Sequence, residues 1–99
     1  MPNTPLPLLA CACLALAGTA SAADMHTKVI ASTCFSCHGA HGKSLGKIPN
    51  LAGVNKEFFL LQMKEFKSGE RPSTIMKRHA SGYTEAELQA LGDFFASMK

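Results

Sequence analysis

The chain has 99 residues, 46% of them hydrophobic and 17% charged, with a formal net charge of +3. That length allows one small domain, and an excess of positive charge this mild argues against nucleic acid as a partner while suiting an acidic protein surface. All ten Lys and Arg and all seven Asp and Glu lie after residue 22.

Residues 6–17 are an apolar run of the length of a signal-peptide hydrophobic region, and Ala20-Ser21-Ala22 is an A-x-A cleavage pattern. The run is too short to span a bilayer as a helix. The reading is a cleaved signal peptide over 1–22, export to the periplasm, and a mature domain over 23–99 that is not membrane-spanning. Residues 1–7 hold no Lys or Arg, so the usual positive start rests on the terminal amine. Leu8-Leu9-Ala10-Cys11 offers a second reading as a lipoprotein box, against which Cys11 falls before the apolar run ends.

A first helix is predicted over 25–38, with Met25, Val29, Ile30, Thr33 and Cys37 at helical spacing. Gly39 and Gly42 end it. Residues 39–54 read as a loop. Asn55 is a predicted N-cap for a second helix over 56–67, with Phe59, Met63 and Phe66 on one face. Gly69 stops it, Pro72 prevents resumption, and residues 69–83 read as a second loop holding Met76. Thr84-Glu85-Ala86-Glu87 is a capping box opening a third helix to about residue 98, with Leu88, Leu91, Phe95 and Met98 on one face. No segment alternates as a strand would, so the fold class is all-α.

The first helix ends in Cys34-Phe35-Ser36-Cys37-His38, which spells C-x-x-C-H, the attachment signal for a c-type haem. Two thiols three residues apart lie on one side of a helical turn and reach the edge of one porphyrin, while His38 is carried beneath the iron as a nitrogen ligand. Two rivals are weaker. A zinc site built from Cys34, Cys37, His38 and His41 would draw four ligands from eight residues, whereas structural zinc sites take pairs from separated segments. A redox dithiol would want a βαβ pattern around C-x-x-C. A core this small rarely supplies more than ~3–5 kcal/mol of stability unaided, and one covalent haem would enlarge it.

The sixth iron position separates electron transfer from small-molecule chemistry. Its candidates are Met25, Met63, Met76, Met98, His26, His41 and His79. Met25, Met63 and Met98 sit on apolar helix faces and read as core, and the three histidines as solvated side chains. Met76, in a loop segment without a helical partner face, is the preferred ligand. The Pro49 carbonyl is a candidate acceptor for the Nδ1–H of His38, with an ordinary turn proline as the plainer alternative.

The mature chain resembles a class I cytochrome c: a first helix ending in C-x-x-C-H, a Pro-x-Leu-x-Gly loop at Pro49-Asn50-Leu51-Ala52-Gly53, a methionine loop and a C-terminal helix. The resemblance implies three main helices wrapped around one covalently bound haem, with Cys34 and Cys37 attaching it, His38 and Met76 as axial ligands, and Pro49 contacting His38. It also implies contact between the Val29/Ile30 region and the Leu91/Phe94/Phe95 region. The stretch Phe66-Lys67-Ser68-Gly69-Glu70-Arg71-Pro72-Ser73-Thr74-Ile75-Met76, followed by Gly82-Tyr83-Thr84, is similar to the single-haem cytochrome subunit of flavocytochrome c sulfide dehydrogenase. That likeness implies an FAD-containing sulfide dehydrogenase subunit as electron donor, the haem chain itself being an electron-transfer protein rather than the catalyst.

Three functions follow as expectations. The first is that haem subunit, which would expose an apolar patch near the haem edge. The second is a free shuttle to a terminal oxidase or reductase, with Lys43, Lys47, Lys77 and Arg78 as a docking rim. The third is an open-site haem sensor or peroxidase, which predicts rapid CO binding.

Overall fold

The computed structural model describes residue 3 and residues 10–98, with side chains from Asp24 onward. Among these residues the chain forms α1 (Ala10–His38), α2 (Lys56–Ser68), α3 (Met76–Ser81) and α4 (Glu85–Ala96), with a short 3-10 turn at Ala40–Gly42 and no strand. The fold is all-α, as its hydrophobic periodicities require.

α1 is longer than the predicted 25–38. Its backbone is helical from Ala10, because the Ala- and Leu-rich stretch that follows Pro7 is made of strong helix formers. Residues 1, 2 and 4–9 of the expected leader lie outside the described residues, and so do the side chains of its cleavage pattern. No helix among the described residues is long and apolar enough to cross a membrane.

The inward stripe of α1 also differs from the predicted one. Met25 and Val29 are 59% and 57% exposed, whereas Ala31 is fully buried and Ile30, Cys34 and Phe35 pack against the core. α1 meets α4 through this stripe and not through Val29: the Phe35 and Phe95 rings sit edge to face with centroids 6.3 Å apart. Counting the largest apolar side chains misplaces the stripe. The small Ala31 lets the helix approach its neighbour closely. On the solvent side of the contact, His26 Nε2 pairs with Glu87 Oε2 of α4 at 2.9 Å.

α2 begins where Asn55 Oδ1 accepts from Phe58 N at 3.0 Å and ends at Gly69, whose φ of 86° supplies a left-handed cap. Its inner face carries the buried Phe59 and Met63. Gly92 brings α4 onto this helix, since a Cβ there would lie 3.0 Å from Lys56 Cγ and 3.4 Å from Phe59 Cδ1. Lys56 and Asp93 close the same junction with a 2.9 Å ion pair. The core lies between these helices, with Leu91 and Phe95 fully buried.

The expected loop over 69–83 is corrected in its second half, because residues 76–81 form α3. Ser73 Oγ accepts from Lys77 N at 3.1 Å, the Ile75 carbonyl accepts from the amides of Arg78 and His79, and Ala80 is fully buried. Six residues are fewer than two turns, too few for a 3.6-residue pattern to register in sequence.

α4 opens with the predicted capping box: Thr84 Oγ1 accepts from Glu87 N at 3.1 Å and Glu87 Oε1 from Thr84 N at 2.9 Å. Thr84→Ala is expected to lower stability by about 1 kcal/mol, measured by denaturant unfolding. The backbone amide of Thr84, and then His26, hold the Glu87 carboxyl below its ordinary value of 4.5. The sign follows. The ionised carboxylate stabilises the fold fully above that ordinary value, and the contribution is lost as pH falls through the lower folded value. Wild type should therefore exceed Glu87→Gln in stability at neutral pH, and the gap should close in acid.

Candidate functional site

Cys34, Cys37 and His38 occupy the last turns of α1, at the i, i+3 and i+4 positions that share one helix face. All three line a cavity of about 460 Å³. Cys34 is half-buried, Cys37 is exposed, and the two sulfurs are not bonded to each other. Burial pushes the Cys34 thiol above its ordinary value, against a smaller opposing effect of its hydrogen bond with Thr33. The side chain is therefore a neutral thiol at neutral pH.

The end of α1 dictates what sits beside His38. Gly39 has φ 94°, and a Cβ there would stand 2.0 Å from the Lys43 carbonyl oxygen, so glycine alone fits this turn. The chain doubles back through Ala40–Gly42, and the Gly42 carbonyl accepts from Leu51 N and Ala52 N at 2.9 and 3.1 Å. This holds Pro49 against the helix end. His38 Nδ1 donates to the Pro49 carbonyl at 2.6 Å, and the residue is only 8% exposed. A carbonyl can only accept, so Nδ1 carries the proton, and in the neutral ring Nε2 is the lone-pair nitrogen. The intervening loop is pinned by Asn50, whose Oδ1 accepts from Ser44 N at 3.1 Å and whose Nδ2 donates to Ala52 O at 2.8 Å, and by a short hydrogen bond from Ser44 Oγ to Ile48 O.

Phe59, Met63 and Phe66 of α2, Leu91 of α4 and the segment from Pro72 to Met76 complete the wall. Met76 is half-buried and packs against the core. Tyr83 joins two sides of the cavity: its hydroxyl lies 3.1 Å from Thr33 Oγ1 of α1, and its carbonyl accepts from Lys67 Nζ of α2 at 3.4 Å. Sequence reasoning missed this tie, because it needs residues fifty positions apart.

Cys34, Cys37, His38, Pro49 and Met76 thus all face one cavity. Of the other candidate ligands, Met63 and His79 line it too, while Met25, Met98, His26 and His41 do not. His41 instead sits in the left-handed region with its ring 5.7 Å from that of Phe35.

The donor set fits a flat apolar macrocycle bearing a metal. It has two thiols on one helical face, an imidazole nitrogen fixed in orientation by a backbone carbonyl, a thioether from a separate element, and walls that are mostly aliphatic and aromatic. The cavity volume falls in the range of about 300–1,000 Å³ usual for small-molecule and cofactor sites.

No protein-family profile matches the chain. Individual proteins do. The chain is 35% identical to the cytochrome subunit of sulfide dehydrogenase of Chlorobaculum tepidum over 72% of its own length and 64% of that protein's. It is 30% identical to cytochrome c-554(547) of Halothiobacillus neapolitanus, over 69% of itself and 87% of that protein. It is 32% identical to the thiosulfate dehydrogenase electron acceptor of Stutzerimonas stutzeri, over 93% of itself and 47% of that protein. It thus spans less than two thirds of the Chlorobaculum protein and about half of the Stutzerimonas one.

Proposed function

Since the chain belongs to the c-type cytochromes, proteins of electron transfer, we propose that it is a periplasmic carrier of single electrons, the haem subunit that accepts them from an FAD-containing sulfide dehydrogenase subunit. In this reading one haem c is attached covalently through Cys34 and Cys37, with His38 and Met76 as axial ligands. When bound, it supplies a one-electron iron couple, which His/Met ligation keeps at a relatively high potential.

The observation that carries the ligand reading is the 2.6 Å hydrogen bond from His38 Nδ1 to Pro49. It fixes the imidazole plane and leaves Nε2 as the nitrogen available to a metal. Pro49 acts through its backbone oxygen, so its role is positional. Met76 offers a neutral thioether, which adds no charge to an apolar site.

A lasting protein partner is supported by the 35% identity to the Chlorobaculum cytochrome subunit. A second reading, the free shuttle, is favoured by Lys43, Lys47, Lys77 and Arg78. They are exposed and join none of the ion pairs among the described residues. The match to a thiosulfate dehydrogenase electron acceptor supports it as well.

Gentle purification of the native protein separates the two. A flavin absorbance that travels with the haem through a high-salt wash, and leaves with a larger chain on denaturation, is expected. Haem alone, released from every partner by salt, would overturn the subunit reading in favour of the shuttle.

A further inference from the structure

His79 belongs to neither role above, yet it lines the same cavity as Met76. The two residues are three positions apart on α3. That spacing returns a side chain to nearly the same helix face, displaced by about 4.5 Å along the axis. Among the described residues the His79 ring makes no hydrogen bond, ion pair or ring contact, and the residue is exposed, so nothing has to be broken for it to turn inward. The start of the helix that bears it is held by Ser73 Oγ, which accepts from Lys77 N, while Ile75 contributes no side-chain cap. Ala80, fully buried, anchors the far end.

We infer that His79 is a reserve iron ligand, which occupies the sixth position through an imidazole nitrogen whenever the Met76 thioether is absent. This rests on the reading that haem fills the cavity with His38 and Met76 as its ligands. The exchange is of one neutral donor for another: the imidazole lone pair bonds the metal, and the thioether leaves unchanged. Its consequence is that loss of Met76 does not open the site to small exogenous ligands such as CO, because the chain keeps a second donor on the same helix face. Met63 is the rival donor. It is a core side chain, 5% exposed, on α2.

The test compares wild-type holoprotein, Met76→Leu, and Met76→Leu/His79→Ala by visible absorption, where methionine–iron ligation gives a weak band in this family, by electron paramagnetic resonance, and by CO binding to the reduced forms. Leucine keeps the volume of methionine, so the single variant keeps its packing. Met76→Leu is expected to lose the methionine–iron band, remain low-spin with a shift to bis-imidazole signals, and bind CO slowly. The double variant is expected to become high-spin and bind CO rapidly. A high-spin Met76→Leu, or a double variant that stays low-spin, overturns the assignment of His79. A wild type without the methionine band overturns instead the Met76 reading beneath it, so the two failures are distinguishable.

Discussion

A Cys34→Ser/Cys37→Ser double variant is expected to retain no haem through a denaturing gel and to lose most of its helical circular dichroism. The chemistry comes first: a hydroxyl does not form the thioether that the proposed attachment requires. The structural cost follows from how little core the chain has without a cofactor. Among the described residues the buried hydrophobic side chains are Ala31, Phe59, Met63, Ala80, Leu88, Leu91 and Phe95, and two of the seven are alanines. A core of this size rarely supplies more than ~3–5 kcal/mol. Phe59, Met63, Phe66 and Leu91 all face the 460 Å³ cavity, so whatever fills it completes the packing of both α2 and α4. Haem stain and far-ultraviolet dichroism of the purified protein check this. A variant that keeps full helicity and no haem would show the helices to be self-sufficient and refute the argument.

Phe95→Ala in the haem-loaded protein is expected to cost about 3–5 kcal/mol, the usual range for deleting a buried aromatic ring. Phe95 is fully buried, and its ring meets three others: Phe94 and Phe35 edge to face at 5.4 and 6.3 Å, and Phe59 at 5.9 Å. It is the point where α1, α2 and α4 touch, and its backbone carbonyl also accepts from Gly53 N at 2.8 Å. The loop after the cysteine motif is therefore tied to the same residue. Each kcal/mol shifts Tm by roughly 4–8 °C in a domain of this size, so a fall on the order of 20 °C should be seen by thermal unfolding. Leu45→Ala, at a fully exposed side chain, serves as the control and should change little. Equal small shifts for both variants would place the core elsewhere.

The sequence was most informative where the cause is local. Asn55, Gly69 and the Thr84/Glu87 box act within four residues of themselves, and the structure places α2 and α4 at the boundaries they mark, to within two residues. The faces of those two helices were legible for a similar reason: each is long enough for a 3.6-residue repeat to stand out. The cysteine motif was legible because its spacing is itself the geometry, one helical face and one adjacent imidazole.

Other features lie beyond that range. The side of α1 that turns inward was misjudged at Met25 and Val29, since hydrophobicity favours large residues while close helix approach favours a small one such as Ala31. α3 was hidden by its length, and with it the shared face of Met76 and His79. His79, read as a solvated side chain, is exposed and also a wall residue, a combination that no window of sequence distinguishes.

By itself, then, the sequence determined the all-α class, the caps that bound α2 and α4, the C-x-x-C-H spacing on one helix face and the family resemblance, because each resides in neighbouring residues. Only the tertiary structure decided that Tyr83 ties back to Thr33 and that Met63, Met76 and His79 share one cavity, while it gave the expected Pro49–His38 contact its geometry. Those relations depend on where the chain returns after its turns, and that is governed by packing between residues far apart in the sequence.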